Sequence, residues 1–144
     1  MFTVVHDSGS INFALASNPS FVQPLIKRFE EIAREWGVDN AGRIVIVLRE
    51  LLFNAIVHGN NNRQSLLVEC RIDRTPEGWF KIAVQDEGNG FDFRSLDMTF
   101  PEDPRNLPRR GYILIRKICR DLEFNASGNR VTVLVDAVNR DEEA

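Results

Sequence analysis

Glu50, Asn54 and His58 are four residues apart, then four again. On an α-helix that spacing stacks them on one face, one turn above the next. Around them run Ile44, Val45, Val47, Leu48, Leu51, Leu52, Ala55 and Ile56. A helix this apolar belongs in a core, where a polar stripe needs partners or a task; the other reading of the spacing is a solvated edge stopped by Gly59. A second polar knot is Asp86-Glu87-Gly88-Asn89-Gly90-Phe91-Asp92. Glycines in such a run let the backbone come close to a ligand or take positive φ, although an ordinary strand-to-loop turn has the same composition. The third is Arg109-Arg110-Gly111, placed where a long loop enters a helix. The free N–H groups of a helix N-terminus attract anions, and Arg110 adds charge-assisted donors suited to phosphate.

The elements that must position these residues follow from periodicity. Phe2 to Asp7 and Ile11 to Ala16 read as strands joined by Ser8-Gly9-Ser10. Asn18-Pro19-Ser20 opens a helix with Asn18 or Ser17 as cap; Phe21, Val22, Leu25, Ile26, Phe29, Ile32, Ala33 and Trp36 keep helical period to Gly37. Asp39 or Asn40 caps a second helix over 41–58, and Asn60-Asn61-Asn62 makes a polar turn. Leu66 to Asp73 and Trp79 to Asp86 are strands around the turn Pro76-Glu77-Gly78. Periodicity is lost from Gly88 to Pro108, a loop length that is usually functional. It resumes as a helix over 110–120, then as strands at Leu122 to Ala126 and Arg130 to Ala137, with a frayed tail over 139–144. The order ββ-α-α-ββ-loop-α-ββ predicts an α+β sandwich in one domain, 1–138, with a mostly antiparallel mixed sheet and the helices on one face.

The 144 residues suffice for one core. A net charge of −3, with no dense Lys/Arg run, argues against direct nucleic-acid or membrane-surface binding. No apolar stretch reaches the roughly 18 residues of a membrane span, and Met1 to Asp7 lacks a signal-peptide pattern. Cys70 and Cys119 lie in apolar-periodic segments and read as buried free thiols, which suits a cytoplasmic location. With no Cys-x-x-Cys and only two histidines, a zinc site is not expected.

In this order and separation the three polar segments resemble the ATP-binding domain of the GHKL superfamily, which takes in gyrase, MutL and the histidine kinases. The resemblance runs from the first helix to the last strand, and is greatest to the stand-alone anti-sigma-factor serine/threonine kinases of the RsbW and SpoIIAB type. Glu50 to Asn60 is similar to the N-box, and Asp86 to Asp92 to the G1 box. Asp103 to Leu107 followed by Arg110 to Arg116 resembles the lid end and G2 box, and Gly128 to Val131 the final turn and strand. The resemblance implies a Bergerat fold and ATP with Mg²⁺ as cofactors. Asn54 would coordinate Mg²⁺, and Asp86 would accept a hydrogen bond from the adenine amino group. Gly88 and Gly90 would make room for the nucleotide under a lid spanning 88–108. Arg110 and the N–H groups at Gly111 would hold the β/γ end, and Glu50 would be the general base taking the proton of an incoming serine. His58 would either touch the nucleotide or serve as a structural helix-end residue. The implied partners are a sigma factor and a STAS-type antagonist protein, with homodimer formation.

The chain departs from the family pattern at four places. Arg109 replaces the first glycine of the G2 entrance, Asn129 follows Gly128 where threonine is usual, Tyr112 replaces leucine, and Arg63 is the nearest basic residue after the N-box. They motivate an alternative in which the fold is kept as a protein-binding regulatory module without catalysis. A detached histidine-kinase catalytic domain is a further alternative, disfavoured because the sequence shows no helical hairpin bearing a phosphoacceptor histidine.

Overall fold

A computed structural model of the chain describes residues 2–90 and 111–137. Strand β1 (Phe2–His6) turns into β2 (Ser10–Ala16). The Asp7 side chain closes that turn by accepting from the N–H groups of Gly9 and Ser10, each at 2.9 Å. Asn18 accepts from the Ser20 amide at 3.0 Å and starts a single 3₁₀ turn, Pro19–Phe21, that leads into α1 (Val22–Glu35). A chain reversal at Gly37, φ 83°, ends that helix. Helix α2 runs Gly42–Phe53 and continues without a break into a π-helical segment, Asn54–Gly59. Strands β3 (Leu67–Arg74) and β4 (Trp79–Gln85) form the next hairpin. Helix α3 (Gly111–Ile118) then precedes β5 (Asp121–Phe124) and β6 (Arg130–Asp136).

The six strands lie in the order β1-β2-β3-β4-β6-β5. The mostly antiparallel sheet predicted from the hairpin spacing is antiparallel at every one of these pairings. Alternate residues face the helices: Ile11, Phe13 and Leu15 on β2; Val68, Cys70 and Ile72 on β3; Phe80, Ile82 and Val84 on β4; Val131, Val133 and Val135 on β6. Against them pack Leu25, Ile26, Phe29 and Ile32 of α1 and Ile44, Val47, Leu48, Leu51 and Leu52 of α2, all at or near zero exposure. Each such side chain stabilises the fold by about 1.5–3 kcal/mol through burial. Register therefore cannot slip by one residue without turning these rows to water.

The other sheet face carries Asn12, Glu69, Arg71 and Gln85. Around the short side chains of Ala14 and Ala83 it forms a shallow concavity of about 410 Å³. Arg43 joins the layers: its Nη2 donates to Ile118 O at 3.1 Å and its Nε to Asp136 O at 3.3 Å, so α2 holds both the end of α3 and the end of β6. Both cysteines are free and buried as expected. Burial pushes each thiol pKa up to about 12; for Cys119, Arg43 opposes the shift. Among the described residues no helix is long and apolar enough to cross a membrane.

Candidate nucleotide site

The polar stripe sits where the helix changes its winding. Asn54 N–H still bonds back to Glu50 O, as an α-helix requires. From there the turns widen, and Asn60 N–H reaches five residues back to Ala55 O at 2.8 Å. The sequence predicts an α-helix through His58; its last five residues, 54–58, are π-helical instead, in a segment that runs on to Gly59. Such segments are rare and concentrate at functional sites. Two successive left-handed residues, Asn61 (φ 52°) and Asn62 (φ 59°), end it. Asparagine tolerates that conformation better than other side chains. Asn54 is 6% exposed, and its Nδ2 has no hydrogen-bond partner among the described residues. A buried carboxamide left in this state costs about 1–3 kcal/mol.

Asp86 follows the last residue of β4. Its N–H donates to Asn129 O at 2.9 Å, and its Oδ1 accepts from Gly88 N at 2.8 Å. The π-helical segment approaches this carboxylate as closely as glycine allows. A Cβ at Gly59 would overlap the Asp86 carboxyl group, and a Cβ at Gly88 would overlap the Gly59 carbonyl oxygen. Gly90, φ 81°, is pressed in the same way against Ser127 O. The end of the helix, the loop after β4 and the turn before β6 thus meet backbone to backbone at three glycines.

Sequence reasoning missed Asn60, read there as part of a polar turn. It is fully buried. Its Nδ2 donates to Ser17 Oγ at 2.8 Å and to Leu67 O at 3.0 Å, and its Oδ1 accepts from Glu87 N at 2.8 Å. Glu87 in turn accepts from Leu67 N at 2.5 Å, and Ser17 donates to Leu66 O at 2.7 Å. A single asparagine carries an acceptor and two donors, and here all are used. The signal was Asn following an apolar helix, but only the folded chain shows that it points inward.

The remaining predicted residues are placed as follows. Glu50 is half-buried, one turn before Asn54, and His58 is exposed. Gly111 opens α3; Arg109, Arg110 and positions 91–108 of the expected lid lie outside the described residues. Asn129 turns its carboxamide into its own turn, accepting from Asn125 Nδ2 at 2.6 Å and Ser127 Oγ at 2.9 Å. Leu51, Ala55, Val84, Asp86, Phe124, Asn129 and Val131 line a hollow of about 10 Å³. That is room for roughly one water, so a purine ring fits there only if these walls part. Among the described residues no group of three His, Cys, Asp or Glu side chains could hold a metal. A cation here would rest on one amide oxygen together with ligand phosphates and water, which is the habit of Mg²⁺. The Asn54 carboxamide oxygen would be the atom that holds the cation, and its NH₂, without a partner among the described residues, would donate to a ligand oxygen.

The model of the histidine kinase-like ATPase domain family matches residues 15–135. The fold resembles that of the histidine kinase domain of the blue-light activated histidine kinase from Erythrobacter litoralis EL346, with a TM-score of 0.51 and 17% sequence identity. The match covers 85% of this chain and 61% of that one, so the chain spans about three-fifths of the length of that relative. No match was found among curated proteins. With the family model spanning both glycine-paired segments and most of the sheet, the chain belongs to the histidine kinase-like ATPase domain family.

Proposed function

We propose that the protein binds ATP with Mg²⁺ and transfers the γ-phosphoryl group to a serine or threonine of a partner protein, as the anti-sigma-factor kinases it resembles do. Domains of this family bind ATP, usually with Mg²⁺. The observation that carries the reading is the meeting of Gly59 and Gly88 around the Asp86 carboxylate, with Gly90 pressed on Ser127 O, beside a buried Asn54 amide whose NH₂ has no partner among the described residues. Asp86 accepts the adenine amino hydrogen; a purine bearing oxygen there leaves the carboxylate unpaired and is rejected. Asn54 would hold Mg²⁺, whose charge would offset that of the phosphates. Arg110 and the amides around Gly111 hold the β/γ end, and Glu50 takes the proton as the serine oxygen attacks phosphorus and ADP leaves. The acceptor would be a STAS-type antagonist, in exchange for a sigma factor, in the cytoplasm, with the kinase as a homodimer.

The test combines calorimetry of ADP and ATP binding, with and without Mg²⁺, and labelled-phosphate transfer to a purified STAS-type antagonist. Micromolar binding that Asp86→Ala and Asn54→Ala each abolish, with phosphoserine formation lost in Glu50→Gln, supports the kinase. A wild-type protein that binds no nucleotide at millimolar concentration sinks it. That outcome favours the regulatory module, a second reading that rests on the 10 Å³ hollow and on the engaged Asn129 side chain.

A further inference from the structure

We infer that Asn60 is a positioning residue that sets the orientation of the Asp86 carboxylate and hence the base selectivity of the site. The inference rests on the nucleotide-binding reading and adds to it the device that holds the recognition group in place. Glu87 N–H belongs to the peptide plane that leaves Asp86, and Asn60 Oδ1 holds it at 2.8 Å. The plane entering Asp86 is held from the other side, by Asn129 O at 2.9 Å. With both planes fixed, the backbone torsions of Asp86 are fixed as well. The carboxylate is then confined between Gly88 N and the bare Cα of Gly59.

Asn60 is itself anchored to the sheet. Its NH₂ group spans Ser17 Oγ beyond the end of β2 and Leu67 O at the start of β3, and Glu87 closes a ring back onto Leu67 N. An alanine at this position would leave Glu87 N–H and the Leu67 carbonyl without their partner. An aspartate would retain the acceptor and lose both donors. A polar ring of this kind, with Asn60 buried and Glu87 at the surface, fixes geometry more than it adds stability, because its net energy is a difference between paired and hydrated groups.

The experiment measures ADP and GDP affinity by calorimetry for the wild type, Asn60→Ala, Asn60→Asp and Ile32→Val. The last truncates the core in α1, away from the site, and controls for lost stability. Backbone exchange at the Glu87 amide is followed in each protein. Asn60→Ala is expected to weaken ADP binding about tenfold, to narrow the ADP-to-GDP preference and to speed exchange at Glu87. Asn60→Asp, which keeps the acceptor, retains more of the preference, and Ile32→Val retains all of it. If Asn60→Ala melts lower yet keeps the wild-type preference and Glu87 exchange, Asn60 is a stabilising residue only and the inference is overturned. Should Asn60→Ala not fold, Asn60→Asp and wild-type exchange decide the matter: a Glu87 amide exchanging at an unprotected rate overturns the inference. A wild type that binds neither nucleotide overturns the nucleotide reading first, and this inference with it.

Discussion

Gly59 closes the π-helical segment where it meets the loop after β4. Its place after a helix suggests a stop signal; the structure shows that its missing Cβ is the space the Asp86 carboxyl group occupies. Gly59→Ala is therefore expected to destabilise the protein by about 1–3 kcal/mol, the range for overpacked positions, and to remove nucleotide binding. Urea melts and calorimetry read the two effects separately. Asn54 predicts the opposite pattern. Since its Nδ2 is buried without a partner among the described residues, Asn54→Ala should leave the ligand-free protein as stable as the wild type, or up to about 1 kcal/mol more so. The same substitution should abolish the rise in melting temperature on adding MgATP. Loss of ligand-free stability by more than about 1 kcal/mol would show that the amide serves the fold instead.

At the scale of elements, α2 holds the site and Arg43 holds α2. Its guanidinium lies at the C-terminal end of α3, donating to Ile118 O as well as to Asp136 O of β6, where a positive charge also suits the helix dipole. Arg43→Ala should cost about 1.5–3 kcal/mol, as for hydrogen bonds to a charged group. Arg43→Lys should not restore it, because a single ammonium cannot reproduce a planar fork directed at two carbonyls. Equal melting temperatures for Arg43→Lys and wild type would refute this. The α2 boundary also shows the limit of sequence reading. Periodicity located the helix and its apolar face, but α and π winding share residue types over six positions. The backbone hydrogen bonds distinguish them, Asn60 N–H reaching Ala55 O five residues back. The strands were more legible, since one-sided burial enforces alternation of Ile, Val and Phe with polar residues in β2, β3, β4 and β6.

For the whole molecule, the architecture was readable because hairpin turns and a single apolar face per element leave few ways to close the core. The glycine-spaced segments were also readable, whereas the Asn60 ring was not, since its partners Ser17, Leu67 and Glu87 are brought together only by the fold. The buried thiols give a global prediction. The folded pKa values of Cys70 and Cys119 stand near 12, above the ordinary 9.0. The unfolded chain therefore loses these protons first. Their stabilising contribution is complete below about pH 9 and declines as pH rises towards 12. Denaturant midpoints taken across that window should fall less steeply in Cys70→Ala than in the wild type, and a thiol reagent at neutral pH should react with neither cysteine until the chain unfolds.

The two tryptophans stand at the end of the sheet opposite Asp86. Trp36 is stacked on Phe80 and covered by the Arg74 guanidinium, and Trp79 lies under Arg120. Trp79 opens the strand that Asp86 follows, a separation of about 20 Å at the usual rise per residue. Intrinsic emission is therefore a reporter of global unfolding and nearly silent to occupancy of the cleft, so titrations that watch tryptophan alone would score a true binder as inert. A base-linked fluorophore on the nucleotide, or heat, is the signal to follow.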